Sequence, residues 1–225
     1  MHVAAAKGKT NWFAIIISAV VVVALVGLGA VVVNLNNQAT APAEMPKAEI
    51  IDQETGAISF GSGKTEVDTF LDFMCPACNA FEQKHGAALQ EAAANDDITL
   101  KVHPIAILDH LSQGTNYSSR AAGAMYCVAE EAPDAALDFL NLMFANQPQE
   151  GTTGLDDAAI AAIAKEAGAE AASTCITDGT YKKVGAQQAQ AHEIRGTPTV
   201  KIDGQEVENP INSDVIPKLL ASFSE

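Results

Sequence analysis

Basic residues are scarce in this 225-residue chain: 13 lysines and arginines stand against 28 acids, for a formal net charge of −15. Lys7 and Lys9 precede a long apolar run, so the remainder is more acidic still. Such a surface repels polyanions, which argues against nucleic acid or an anionic lipid surface as its partner. It reads as a solvated coat that keeps a domain in solution. Cysteine is sparse too, with Cys75, Cys78, Cys127 and Cys175 making up the four. Only Cys75 and Cys78 form a C-x-x-C. Without a second such pair, or further Cys and His at short spacing, a zinc site has too few donors. Asn79 stands where haem attachment needs His after the second cysteine. No internal repeat is visible. Neither a metal nor a dissociable cofactor is called for.

Long apolar runs are also few, and the one present is decisive for organisation. Trp12 to Val33 is broken only by Ser18 and a few glycines. As a helix it spans roughly 33 Å, enough for a bilayer core. The lysines lie before it and the acids after it. The positive-inside rule therefore makes residues 1–11 a cytoplasmic tail, 12–33 a transmembrane signal-anchor, and everything later extracytoplasmic. A cleaved signal peptide is the alternative, but the run exceeds the usual apolar core of one. An A-x-A nearby, Ala39-Thr40-Ala41, is followed by Pro42. Either way the domain lies where disulfides persist.

Residues 34–54 are polar, carry Pro42 and Pro46, and lack an apolar period, which predicts a flexible spacer. Residues 55–225 form the domain. Ala57 to Phe60 and Thr65 to Phe73 read as strands, followed by a helix from Cys75 carrying Phe81, Ala88, Leu89 and Ala92. Ile98 to Val102 alternates as a further strand ending at His103-Pro104. Strand, helix and strand in that order make a βαβ unit with parallel strands. Residues 116–193 then turn wholly helical, with breaks at Pro133, at Pro148 to Gly154 and at Gly168. Thr199 to Ile202 and Gln205 to Val207, joined by Asp203-Gly204, read as a β-hairpin. Asn212-Ser213-Asp214 opens a last helix.

The C-x-x-C sits at the junction of a strand and a helix. There the unpaired N–H groups of the first helical turn and the positive end of the helix dipole favour an anion. A thiolate is such an anion, so Cys75 is expected to have a lowered pKa and to be the reacting sulfur. Pro76 suits the first helical position, having no N–H to leave unpaired. Cys78, one turn on and more buried, is placed to close a disulfide with Cys75. A merely structural bond is the competing reading, though such a junction is an odd place for one.

Gly196-Thr197-Pro198-Thr199 precedes the hairpin and alone is a weak signal. After an upstream C-x-x-C helix within βαβ, and before a β-β-α close, it resembles the thioredoxin fold, in which a cis-proline faces the cysteine pair. Helices inserted between the two halves are the mark of the DsbA family of thiol–disulfide oxidoreductases. F-x-D-F-x-C-P-x-C-x-x-F-E at Phe70 to Glu82 resembles that family's active-site signature. The segments Leu142 to Leu155 and Ile163 to Gly168 resemble membrane-anchored DsbA-like proteins of actinobacteria. The resemblance covers about Ser59 to Phe223. It implies a thioredoxin-like α/β fold with an inserted helical domain, preceded by one transmembrane helix. It makes Cys75 the nucleophile, Cys78 its buried partner and Pro198 the cis-proline. Thr197 would offer backbone hydrogen bonds to a bound peptide strand.

Two departures stand out. Many members carry a buried acid six residues before the first cysteine. Here that position is Thr69, with Asp68 and Asp72 on the opposite strand face and neither assignable to the role. Strong oxidases often have histidine before the second cysteine, and this chain has Ala77. As for the second pair, four cysteines allow three connectivities. The redox pair leaves Cys127 and Cys175 for a structural bond, with two free buried thiols as the alternative. Related anchored proteins carry a second bridge in the helical region, which favours the bond. The histidines have no motif partners, and His103 is expected at the surface.

The expected function is introduction of disulfides into exported proteins through Cys75 and Cys78. Unfolded or folding exported chains would be clients, and a membrane quinone-linked oxidase would restore the disulfide. The alternatives are a reductase or isomerase on the same scaffold, or a non-catalytic chaperone-like binding protein.

Overall fold

The computed structural model describes residues 12–40 and 43–223, which fall into two compact units. The tail expected at 1–11 lies outside the described residues. The first unit is one helix, α1 (Trp12–Thr40, 29 residues). Its window Ile16–Val33 is long and apolar enough to cross a membrane, and none of it is buried. The helix runs past Val33, so the first stretch expected to be a loose spacer is helical.

The second unit starts at Ala43. The spacer expected over 34–54 is therefore shorter than its composition suggested. Ile51 is 3% exposed, and it bridges to Ile58. The Ala43 N–H donates to Gln187 Oε1 at 2.7 Å, and Gln53 Nε2 donates to the Pro46 and Ile51 carbonyls. Ala43, Met45, Ala48 and Ile50 pack individually on the core. An extended segment anchors through such single contacts, and these leave no period in the sequence.

Among the described residues five strands form one mixed sheet: β1 (Ile58–Phe60), β2 (Thr65–Leu71), β3 (Ile98–Pro104), β4 (Thr199–Ile202) and β5 (Gln205–Glu206), in the order β1-β3-β2-β4-β5. Only β2 and β3 pair in parallel. They are joined through α2 (Pro76–Phe81), a π turn at Glu82–Gly86, and α3 (Ala87–Ala94). The π turn inserts one residue into the helical period. His85 and Gly86 are buried within it, while Ala88 is exposed.

Residues of β2 alternate between two apolar clusters. Val67 and Leu71 join Phe81, Leu89, Leu100 and Val200, whereas Phe70 joins Ile105 and Ala189. Between β3 and β4 lie α4 (Tyr117–Glu131), α5 (Ala136–Ala145), α6 (Asp157–Glu166), α7 (Ser173–Asp178) and α8 (Val184–Ala191). The helix α4 is the centre of this insertion, buried from Ala121 through Ala129. Small residues let its neighbours come close: a Cβ on Gly123 would lie 2.7 Å from the Lys182 backbone nitrogen. A Cys127–Cys175 disulfide joins α4 to α7. The chain closes with α9 (Val215–Ala221).

Candidate active site

The strand β2 ends at Leu71, and the next residues make the turn that carries the thiols. Asp72 shapes it. This carboxylate is fully buried, and Oδ1 accepts from the Met74 N–H at 2.9 Å. Its Oδ2 accepts from the N–H groups of Ile107 and Leu108 at 2.9 and 3.0 Å, tying the turn to the segment after β3. The Asp72 carbonyl accepts from the Cys75 N–H at 2.9 Å. Cys75 then caps α2 in an extended conformation, with Pro76 in the first turn.

Both thiols of the C-x-x-C are free, Cys75 at 6% exposure and Cys78 at none. The Thr197–Pro198 bond is cis. It lies against the pair, because the Cys75 thiol donates to the Thr197 carbonyl at 3.3 Å across 122 residues of sequence. The fold thus brings Cys75, Cys78, Thr197 and Pro198 to one place. Beside them a groove of about 550 Å³ is lined by His192, Arg195, Thr197, Pro198, Lys201 and Glu208.

The two sulfurs are electrostatically unlike. The hydrogen bond from the Cys78 thiol is the largest influence on Cys75. With the Thr197 side chain and the N–H groups of Cys78 and Ala77, it outweighs burial and lowers the Cys75 pKa to about 6. Burial, reinforced by the neighbouring Cys75, raises Cys78 well above the usual thiol range. At neutral pH the reduced pair therefore holds one thiolate, at Cys75, and one thiol.

A thioredoxin family model matches residues 54–221. The crystal structure of reduced DsbA from Mycobacterium tuberculosis is 32% identical, with a TM-score of 0.63, covering 74% of this chain and 98% of that one. The chain belongs to the DsbA-like branch of the thioredoxin family. Solved structures that it resembles are named as disulfide or thiol–disulfide oxidoreductases. The DsbG structure from M. tuberculosis is 30% identical at a TM-score of 0.63, covering 75% and 94%. The fold is shared with the thiol–disulfide oxidoreductase MdbA of Corynebacterium diphtheriae, 22% identical at a TM-score of 0.65 over 81% and 98%. A curated relative, the serine/threonine-protein kinase PknE of M. tuberculosis, is 34% identical over 120 residues. That match spans 51% of this chain and only 21% of the kinase, whose named activity is its own.

Within this DsbA-like frame several residues lie where the sequence alone did not put them. Thr69, at the position of the family's buried acid, is 1% exposed and its hydroxyl has no partner among the described residues. Asp72 is the buried carboxylate, and burial raises its pKa. An acid set within Leu71-Asp72-Phe73 was the available signal. His103 is not at the surface but fully buried, with Nε2 2.8 Å from Asp68 Oδ1. It stacks on Phe70 at 4.1 Å and meets the edge of His192 at 5.0 Å. The β2–β3 register explains this, since it sets Phe70 opposite His103. Burial lowers the His103 pKa against the pull of Asp68. Glu82, which closes the active-site signature, is pushed up by burial to about 7.

Proposed function

We propose that the chain is an oxidase of this class, forming disulfides in exported proteins from a position tethered outside the cytoplasmic membrane by Trp12 to Val33. The observation that carries the reading is the asymmetry of the pair: a thiolate-favouring Cys75 and a buried, thiol-favouring Cys78 beside Thr197 and Pro198. Whatever stabilises the reduced pair makes the disulfide a stronger oxidant.

In the oxidised protein a client thiolate attacks Cys75 Sγ. The Cys75–Cys78 bond breaks, and Cys78 departs as a thiolate that takes up a proton. The client now shares a mixed disulfide with Cys75 and lies along Thr197–Pro198, whose backbone is free to pair with an extended strand. A second client thiolate attacks the client sulfur, and Cys75 leaves with the electron pair. Two electrons have moved to the cysteine pair and the client has gained a disulfide. An electron acceptor of the quinone-linked membrane oxidase class then restores the Cys75–Cys78 bond. An apolar anchor that long, with its lysines on the leading side, supports placement of the domain beyond the membrane.

The test is the equilibrium of the Cys75/Cys78 pair with glutathione. An oxidase gives a potential well above the roughly −270 mV of thioredoxin, toward the roughly −120 mV of DsbA. A value at or below thioredoxin's would make the protein a reductase.

A further inference from the structure

Beyond α5 the chain passes through Asn146 and Gln147 to Pro148. Gln147 reaches back across more than seventy residues of sequence to the redox turn: its Nε2 donates to the Phe73 carbonyl at 3.0 Å and the Cys75 carbonyl at 2.9 Å. Its Oε1 accepts from Asn79 Nδ2 at 3.1 Å. The same Asn79 nitrogen donates to the Phe144 carbonyl at 3.1 Å, and Asn79 Oδ1 accepts from Gln83 Nε2 at 3.1 Å. The network has a single consistent orientation. Carbonyls only accept, so the Gln147 nitrogen must face Phe73 and Cys75, which leaves its oxygen for the Asn79 donor. Behind these bonds the rings of Phe73 and Phe144 meet at 5.1 Å.

We propose that Gln147 is a positioning residue for thiol–disulfide exchange, through which the helical insertion holds the peptide groups on either side of the reactive cysteine. The Cys75 carbonyl also accepts from the Cys78 and Asn79 N–H groups at 3.1 and 3.3 Å, the bonds that begin α2. Those N–H groups belong to the turn that stabilises the anion. Each carbonyl carries a negative oxygen in the turn whose sulfur must bear negative charge, and the Gln147 amide places positive hydrogens against both. Removing the amide leaves two half-buried acceptors without a protein donor on that side and loosens the start of the helix. Asn79 acts one step further out by orienting Gln147.

This inference rests on Cys75 and Cys78 being the exchanging pair, and not on the direction in which they exchange. Gln147→Met keeps the length and removes the donors, and Gln147→Glu keeps the shape and replaces the donors with acceptors. Asn79→Ala leaves Gln147 present but unoriented. For each, the thiolate of Cys75 is titrated by its ultraviolet absorbance and the glutathione equilibrium is measured beside wild type, with a thermal melt as control. Gln147→Met should shift the glutathione constant toward the oxidised protein by roughly three- to tenfold, with the titration midpoint moving up. Gln147→Glu should move both further. Asn79→Ala should move them less, and should add nothing in the Gln147→Met background. Melting temperatures that fall while midpoint and constant stay at the wild-type values would overturn the proposal, leaving Gln147 only as packing for the insertion. An ordinary midpoint in the wild type would instead refute the reading of Cys75 itself. If Gln147→Met does not fold, Asn79→Ala and Gln147→Glu decide the question by the same two readouts.

Discussion

Replacing Cys78 by alanine tests the origin of the reactive thiolate. The hydrogen bond from the Cys78 thiol is the largest influence on Cys75, ahead of the Thr197 side chain and the two backbone N–H groups. With a midpoint of about 6, against 9.0 for an unperturbed thiol, Cys75 in the wild type carries at pH 7 roughly ten thiolates for every thiol. A hydrogen bond to a charged group contributes about 1.5–3 kcal/mol, and 1.36 kcal/mol corresponds to one pH unit. Cys78→Ala should therefore raise the midpoint by roughly one to two units, to about 7–8. It should not return to the unperturbed value, because the N–H groups of Ala77 and residue 78 remain. Thiolate absorbance followed across pH measures this directly. A wild-type midpoint near that of free cysteine would refute the reasoning, as would a Cys78→Ala midpoint equal to wild type. The second result would move the whole effect onto the helix terminus.

The potential should change slope with pH. Below about 6 the reduced pair binds two protons, and above that it binds one, so the potential should fall by about 60 mV per pH unit in acid and about 30 mV per unit above the break. The sign follows from the lowered pKa: the extra stability of the reduced form is full above the unperturbed value of 9.0, shrinks below it and is lost as pH falls through about 6. A single slope from pH 4 to 8 would contradict it. Removing the second bond with Cys127→Ala and Cys175→Ala together should cost about 4 kcal/mol, from the 48-residue separation that the bond closes. Urea unfolding measures this, and an unchanged midpoint would contradict it. The Cys75 titration should stay as in the wild type, since the bond lies between α4 and α7.

Much of this site was readable because its chemistry is local. Cys75-Pro76-Ala77-Cys78 follows an apolar strand directly, so both the helix start and the unequal exposure of the two sulfurs follow from a few adjacent residues. Gly196-Thr197-Pro198-Thr199 gained meaning from the order of elements around it. What the sequence withheld depends on strand register or on distant backbone. His103 becomes buried because β3 sets it beside Phe70 under the side chain of His192. Asp72 is accommodated inside because Met74, Ile107 and Leu108 supply N–H groups to it. No pattern around Gln147 announces that its amide ends at two carbonyls in another part of the chain. The extended residues after Ala43 and the π turn at Glu82–Gly86 escaped for a related reason: both break the periods by which a segment is recognised.

Of the two cysteines, Cys75 is 6% exposed and Cys78 is fully buried. On the proposed reading, a client and the acceptor that regenerates the protein meet the same atom, and neither can be seated while the other is. Turnover is then an alternation of visitors at a single doorway. In steady state, raising the concentration of one should scale kcat and KM for the other together, and enough of either should slow the exchange by occupying the wrong form.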